Sequence, residues 1–103
     1  MAQDRHIYGE VNSSTGLKTI FRDIRKDVSS AKSRPALSEL YKRAGYLITL
    51  THAPAWQKKF GAKSTAMRQV AKQEFTSTAR KINSRAKTIG ADADYDTKWG
   101  PGR

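Results

Sequence analysis

The 103-residue chain has no cysteine, only two histidines, three prolines and nine acids. Without cysteine there is no disulfide, no thiolate nucleophile and no zinc ribbon, and a reducing, cytoplasmic setting is the expectation. His6 and His52 are far apart and neither stands in an H-x₃-H or H-E-x-x-H spacing. A metal site or a Ser-His-Asp triad therefore lacks its parts. No apolar run approaches the roughly 20 residues that cross a bilayer. The longest, "GYLITL" over 45–50, is far too short, and residues 1–30 hold no hydrophobic signal core. No membrane association is expected.

Other chemistry fails on spacing. Asp92-x-Asp94-x-Asp96 opens like a calcium loop, but its sixth and twelfth positions are Thr97 and Arg103 instead of glycine and glutamate. There is no G-x-S-x-G elbow and no glycine-rich phosphate loop with a lysine. Asp4, Asp23 and Asp27 stand directly beside Lys or Arg in the sequence, which suits them to ion pairing rather than general acid catalysis. No catalytic residue, metal or cofactor is expected, and the chain reads as a non-enzyme.

What the chain has is positive charge: 20 Lys and Arg against 9 Asp and Glu, a net +11. Such an excess repels itself in a compact fold and attracts polyanions over about a Debye length. It is also unevenly spread. Between residues 40 and 91 there are eleven Lys or Arg and one acid, Glu74.

The apolar pattern predicts an all-α fold, a small bundle of three main helices plus one short helix. Residues 1–12 read as a flexible arm, 13–90 as the helical bundle and 91–103 as an acidic, aromatic tail. "SSTG" offers caps to a first helix whose stripe is Leu17, Ile20, Phe21, Ile24, Val28 and Ala31. Lys18, Arg22, Arg25, Lys26 and Lys32 gather on one side of it, Asp23 and Asp27 on the other, with Asp23–Lys26 spaced for a local ion pair.

Pro35 suits the first turn of a second helix with Leu37, Leu40, Tyr41, Ala44, Ile48 and Thr51 at helical spacing. Tyr46, Leu47 and Leu50 widen that arc, which marks a helix central in a bundle or docked to another chain. "YLITLT" also has strand character, but its continuity with "LSELYKRAG" favours helix.

Pro54 opens a short helix, with Thr51 or His52 as its expected cap, and Gly61 closes it. In "APAWQKKFGAK", Trp56 and Phe60 are four apart and share a face, so the pair is expected to pack inward while Lys58, Lys59 and Lys63 point out. The competing reading makes Trp56, with Trp99 or Tyr46, a stacking platform for bases. A last long helix runs from Ser64 to about Ile89, with Met67, Val70, Ala71, Phe75, Thr78, Ile82, Ala86 and Ile89 as its stripe. Arg68, Lys72, Thr76, Arg80, Asn83 and Lys87 form its outer face, and Gly90 ends it. The tail "ADADYDTKWGPGR" either folds back on the basic helices, mimics phosphate, or frays.

Three functions compete. The first is a binder of RNA or single-stranded DNA backbone with weak sequence specificity. Its phosphate ligands would be Lys18, Arg22, Arg25, Lys58, Lys59, Lys63, Arg68, Lys72, Arg80 and Lys87. The second is a structural subunit of a ribonucleoprotein, with Tyr46, Leu47 and Leu50 binding a protein partner or another copy. In size, charge and architecture alone, the chain resembles the small basic helical subunits of CRISPR-type effector complexes. The third, ranked last, is a basic adaptor for an acidic protein, or for an anionic membrane surface, without nucleic acid.

Overall fold

A computed structural model describes residues 13–98. The expected arm, residues 1–12, and the end of the tail with Trp99 lie outside the described residues. Within them the fold is all-α, four helices and no strand: α1 (Ser14–Ser30), α2 (Arg34–Thr51), α3 (Pro54–Phe60) and α4 (Lys63–Thr88).

Local chemistry sets most of these boundaries. The Ser13 hydroxyl accepts the Gly16 amide at 3.0 Å and starts α1. Ser33 does the same for α2 through the Ala36 amide at 3.3 Å, with Pro35 in the first turn. "YLITLT" continues α2 as helix to Thr51.

The expected cap of α3 is not formed. Thr51 and His52 end α2 instead: the Thr51 hydroxyl donates back to the Ile48 carbonyl at 2.7 Å, and His52 Nδ1 lies 3.0 Å from the same oxygen. Ala53 occupies the cap position of α3 with no side-chain bond, and Pro54, lacking an N–H, leaves one fewer donor to satisfy there. Gly61 does have positive φ, but its ψ of −129° turns the chain away from the left-handed helical geometry and directly into α4.

Side-chain pairs between helices give their directions. Residues 25 and 31 of the first segment meet 74 and 85 of α4, so α1 and α4 run parallel. Residues 41 and 51 of α2 meet 75 and 68, so α2 runs against both. The core between them takes Leu17, Phe21 and Ile24 from α1, Leu37, Ala44 and Ile48 from α2, and Met67, Phe75 and Ile82 from α4. Trp56 closes one end.

Helix ends need donors for carbonyls that have no following turn. Two arginines of α4 supply them. Arg68 Nε donates to the Thr51 carbonyl at 2.7 Å, at the end of α2. Arg85 Nε donates to the Ala31 carbonyl at 2.8 Å, just past the end of α1. A cation at a helix C-terminus also meets the negative end of the helix dipole. The buried hydroxyls are satisfied as well: Thr78 donates to the Glu74 carbonyl at 2.8 Å and Ser64 to the Gly61 carbonyl at 2.7 Å.

After Thr88 the chain turns on Gly90, φ +73°, with the Ala91 amide on the Ala86 carbonyl at 2.8 Å and the Gly90 amide on Lys87 at 3.2 Å. This paired closure calls for a left-handed residue at the glycine. The tail then lies on the bundle in extended form. Ala91, Ala93 and Tyr95 pack against the core while Asp92, Asp94 and Asp96 alternate outward, the period-2 pattern of an extended segment.

Two glycines should respond to alanine with opposite sign. Gly45, inside α2, has no atom within 4 Å of an added Cβ, so Gly45→Ala should stabilise by about 1 kcal/mol. Gly90→Ala should destabilise by about 1–2 kcal/mol because of its φ. Thermal melts should show Tm moving up for the first and down for the second, by about 4–8 °C per kcal/mol.

Candidate nucleic-acid interface

The ten cations proposed as phosphate ligands separate into two groups. Arg25 is the clearest departure from expectation. Its Nη1 donates to Glu74 Oε1 at 2.9 Å and to Thr78 Oγ1 at 3.2 Å, joining α1 to α4. Both partners of the ion pair are largely covered, with side chains 23% and 20% exposed. Arg68 is the second: besides holding the end of α2, its guanidinium reaches Gln57 Oε1 at 3.4 Å and ties α3 to α4. These two guanidiniums are held in structural contacts and do not project as free phosphate ligands. A planar guanidinium with several fixed donors suits such bridging where a lysine would not.

The other eight, Lys18, Arg22, Lys58, Lys59, Lys63, Lys72, Arg80 and Lys87, are all exposed. None of them makes an ion pair among the described residues. Lys59 Nζ sits 5.3 Å from the Phe60 ring centroid, a cation–π contact that leaves its charge at the surface. The Asp23–Lys26 pair that the spacing allows is not formed, so Lys26 adds to the exposed cations of α1.

Spacing along each helix sorts the exposed cations. On α1, Lys18, Arg22 and Lys26 follow one another at four-residue steps, and Arg22 is three residues from the anchored Arg25. Lys18 and Arg22 therefore flank the α1–α4 seam, while Lys26, next to Arg25 in sequence, lies on the outer face of α1. Lys81, exposed and three residues beyond Thr78, lies on the same side of α4. Arg80 and Lys87 lie on the other side of α4, at three and four residues from Asn83. Lys58, Lys59 and Lys63 form a third group at the α3–α4 corner.

The aromatics of "APAWQKKFGAK" resolve in favour of packing. Trp56 is 5% exposed, and its ring meets Phe60 at 4.5 Å between centroids, tilted by 47°. Its indole Nε1 is buried without a hydrogen-bond partner. A ring so enclosed offers no face to a base, so the stacking role does not fall to Trp56. The lysines of the same stretch point outward, as the spacing predicts.

The proposed partner surface is also redistributed. Leu47 is 5% exposed and belongs to the core, because α2 packs against α1 on one flank and α4 on the other. Tyr46 and Leu50 stay partly exposed.

Two sites were not legible as such in the sequence. Asn83 grips the tail with both ends of its amide: Oδ1 accepts the Tyr95 amide at 2.7 Å and Nδ2 donates to the Tyr95 carbonyl at 2.8 Å. Tyr41 stacks on Tyr95 at 4.5 Å, and its hydroxyl donates to the Asp96 carbonyl at 3.0 Å. The alternation in "ADADYD" was the available signal for an extended, one-sided segment. The second site is an open cleft of about 330 Å³ between the end of α1 and the start of α2, where Asp27, Glu39 and Arg43 come together.

Among the described residues, no three His, Cys, Asp or Glu side chains group as metal ligands. Nor is any described helix long and apolar enough to cross a membrane.

Trp56→Ala should destabilise by about 3–5 kcal/mol, read as a fall in Tm, with polyanion binding unchanged below the transition. An unchanged Tm with binding lost would restore the base-stacking role. Comparison with protein-family models, with curated proteins and with solved structures returns no match, so side-chain placement carries the functional reading.

Proposed function

We propose that the protein is a non-enzymatic binder of nucleic-acid backbone, with RNA or single-stranded DNA as the favoured ligand and weak sequence specificity. One observation carries this reading: eight of the ten candidate cations are exposed and have no acidic partner among the described residues. A helical surface gains nothing in self-stability from such an imbalance, since like charges on one face repel. Phosphates relieve the repulsion, and counterions released from the nucleic acid add a favourable term. Nothing in the sequence resembles an arranged base-reading set, which favours backbone contact as the dominant mode. The absence of cysteine fits a cytoplasmic protein.

A ribonucleoprotein subunit is the second reading, favoured by the outer face of α2. There Tyr46 and Leu50 remain partly exposed, and Gly45 has no atom within 4 Å of where its Cβ would be. Such a face can receive a second chain, and the mass in solution separates a lone binder from a self-associating subunit.

Fluorescence anisotropy with labelled single-stranded RNA, single-stranded DNA and duplex DNA at several salt concentrations tests the main reading. With about six phosphate contacts, the log–log slope on a single strand should be about −4. No binding to any of the three at low salt would overturn it and direct the search to an acidic protein partner.

A further inference from the structure

The two basic sides of α4 are not equivalent, because the tail lies along one of them. Asn83 holds the Tyr95 backbone by two short hydrogen bonds, and Tyr41 secures the same point by stacking and by its bond to the Asp96 carbonyl. Arg80 and Lys87 are the near neighbours of Asn83 on that side of the helix. The docked segment turns Ala91, Ala93 and Tyr95 inward, so the exposed acids at 92, 94 and 96 form an outward row beside them. Neither Asp92 nor Asp94 makes an ion pair among the described residues. Their effect is therefore through the local field, which reaches about 8–10 Å at ordinary ionic strength.

We infer that the docked tail is an electrostatic screen over the Arg80–Lys87 side of α4, and that it directs a nucleic-acid backbone to the opposite side. The receiving surface is the α1–α4 seam, lined by Lys18, Arg22 and Lys81. Three features support the division. The tail is fixed by backbone hydrogen bonds and ring stacking, so its position does not depend on the charges it would screen. The acids face outward, where an approaching phosphate meets them. The seam has only one nearby acid on α4, Glu74, and Arg25 already neutralises it at 2.9 Å. This inference rests on the nucleic-acid reading above.

The test is anisotropy with fluorescein-labelled oligo(U) at low salt, on full-length variants whose folding is checked by thermal melting. In the otherwise unchanged protein, Lys18→Ala/Arg22→Ala should weaken binding about tenfold, while Arg80→Ala/Lys87→Ala changes it less than about twofold. Asp92→Asn/Asp94→Asn, which leaves the Asn83 grip in place, should tighten binding about three- to tenfold. On that neutralised background, Arg80→Ala/Lys87→Ala should now weaken binding. Asn83→Ala, which removes two of the bonds that hold the tail and so loosens it, should also raise the dependence on Arg80 and Lys87. Equal losses from the two alanine pairs in the unchanged protein, with no gain from neutralising the tail, would overturn the screen and leave backbone binding standing. Failure of every variant to bind oligo(U), labelled single-stranded DNA or duplex DNA at low salt would overturn both.

Discussion

Helices α1 and α2 both end in carbonyls that no further turn can satisfy, and α4 supplies the donors for both. Arg68 closes α2 at Thr51, and Arg85 closes the exit from α1 at Ala31. The two arginines are 17 residues apart on one helix, which at 1.5 Å per residue is about 25 Å. They thus hold opposite ends of the bundle, as the antiparallel run of α2 against α1 requires. Between them Ala71, Phe75, Ala79 and Ile82 form the wall against which both helices pack. Helix α4 is at once the apolar centre and the source of polar closure.

This arrangement changes how the charge excess should be understood. Part of it is structural: Arg25, Arg68 and Arg85 each bond to an atom on a different element. A guanidinium serves here because its several N–H groups can bridge two acceptors at once, as Arg25 does with Glu74 and Thr78. The remainder of the excess is dominated by lysines on stems that reach into solvent. Those cations increase self-repulsion in the folded state, and an anionic partner is the natural relief. The tail offers a partial relief from within the chain, since its three acids lie along the fold instead of trailing from it.

Much of the helical architecture was legible in the chain. "SSTG" and Pro35 mark the starts of α1 and α2, and Gly90 marks the end of α4, because caps and turns are decided by a few neighbouring residues. The stripe from Leu17 to Val28 likewise named the buried face of α1 without error. The α2 arc left two readings open, a helix central in the bundle or one docked to another chain. Leu47, placed on a partner surface, is buried instead because a middle helix has two neighbours to cover and needs the wider face. Thr51 and His52 misled for a similar reason, since a hydroxyl between two helices can serve the one that ends as readily as the one that begins.

The candidate site was legible as a charge imbalance but not as a geometry. Periodicity relates residues three and four apart, and by itself it determined the helices, their exposed lysines and the inward pairing of Trp56 with Phe60. The decisive bonds are long in sequence: Arg25 to Glu74 spans 49 residues, Ala31 to Arg85 spans 54, and Tyr41 to Asp96 spans 55. Only the tertiary structure could decide which arginines are committed to the fold and on which side of α4 the acidic tail lies. The physical reason is that a helix presents the same local pattern whatever stands opposite it, and a hydrogen bond or ion pair exists only once the opposite surface has arrived.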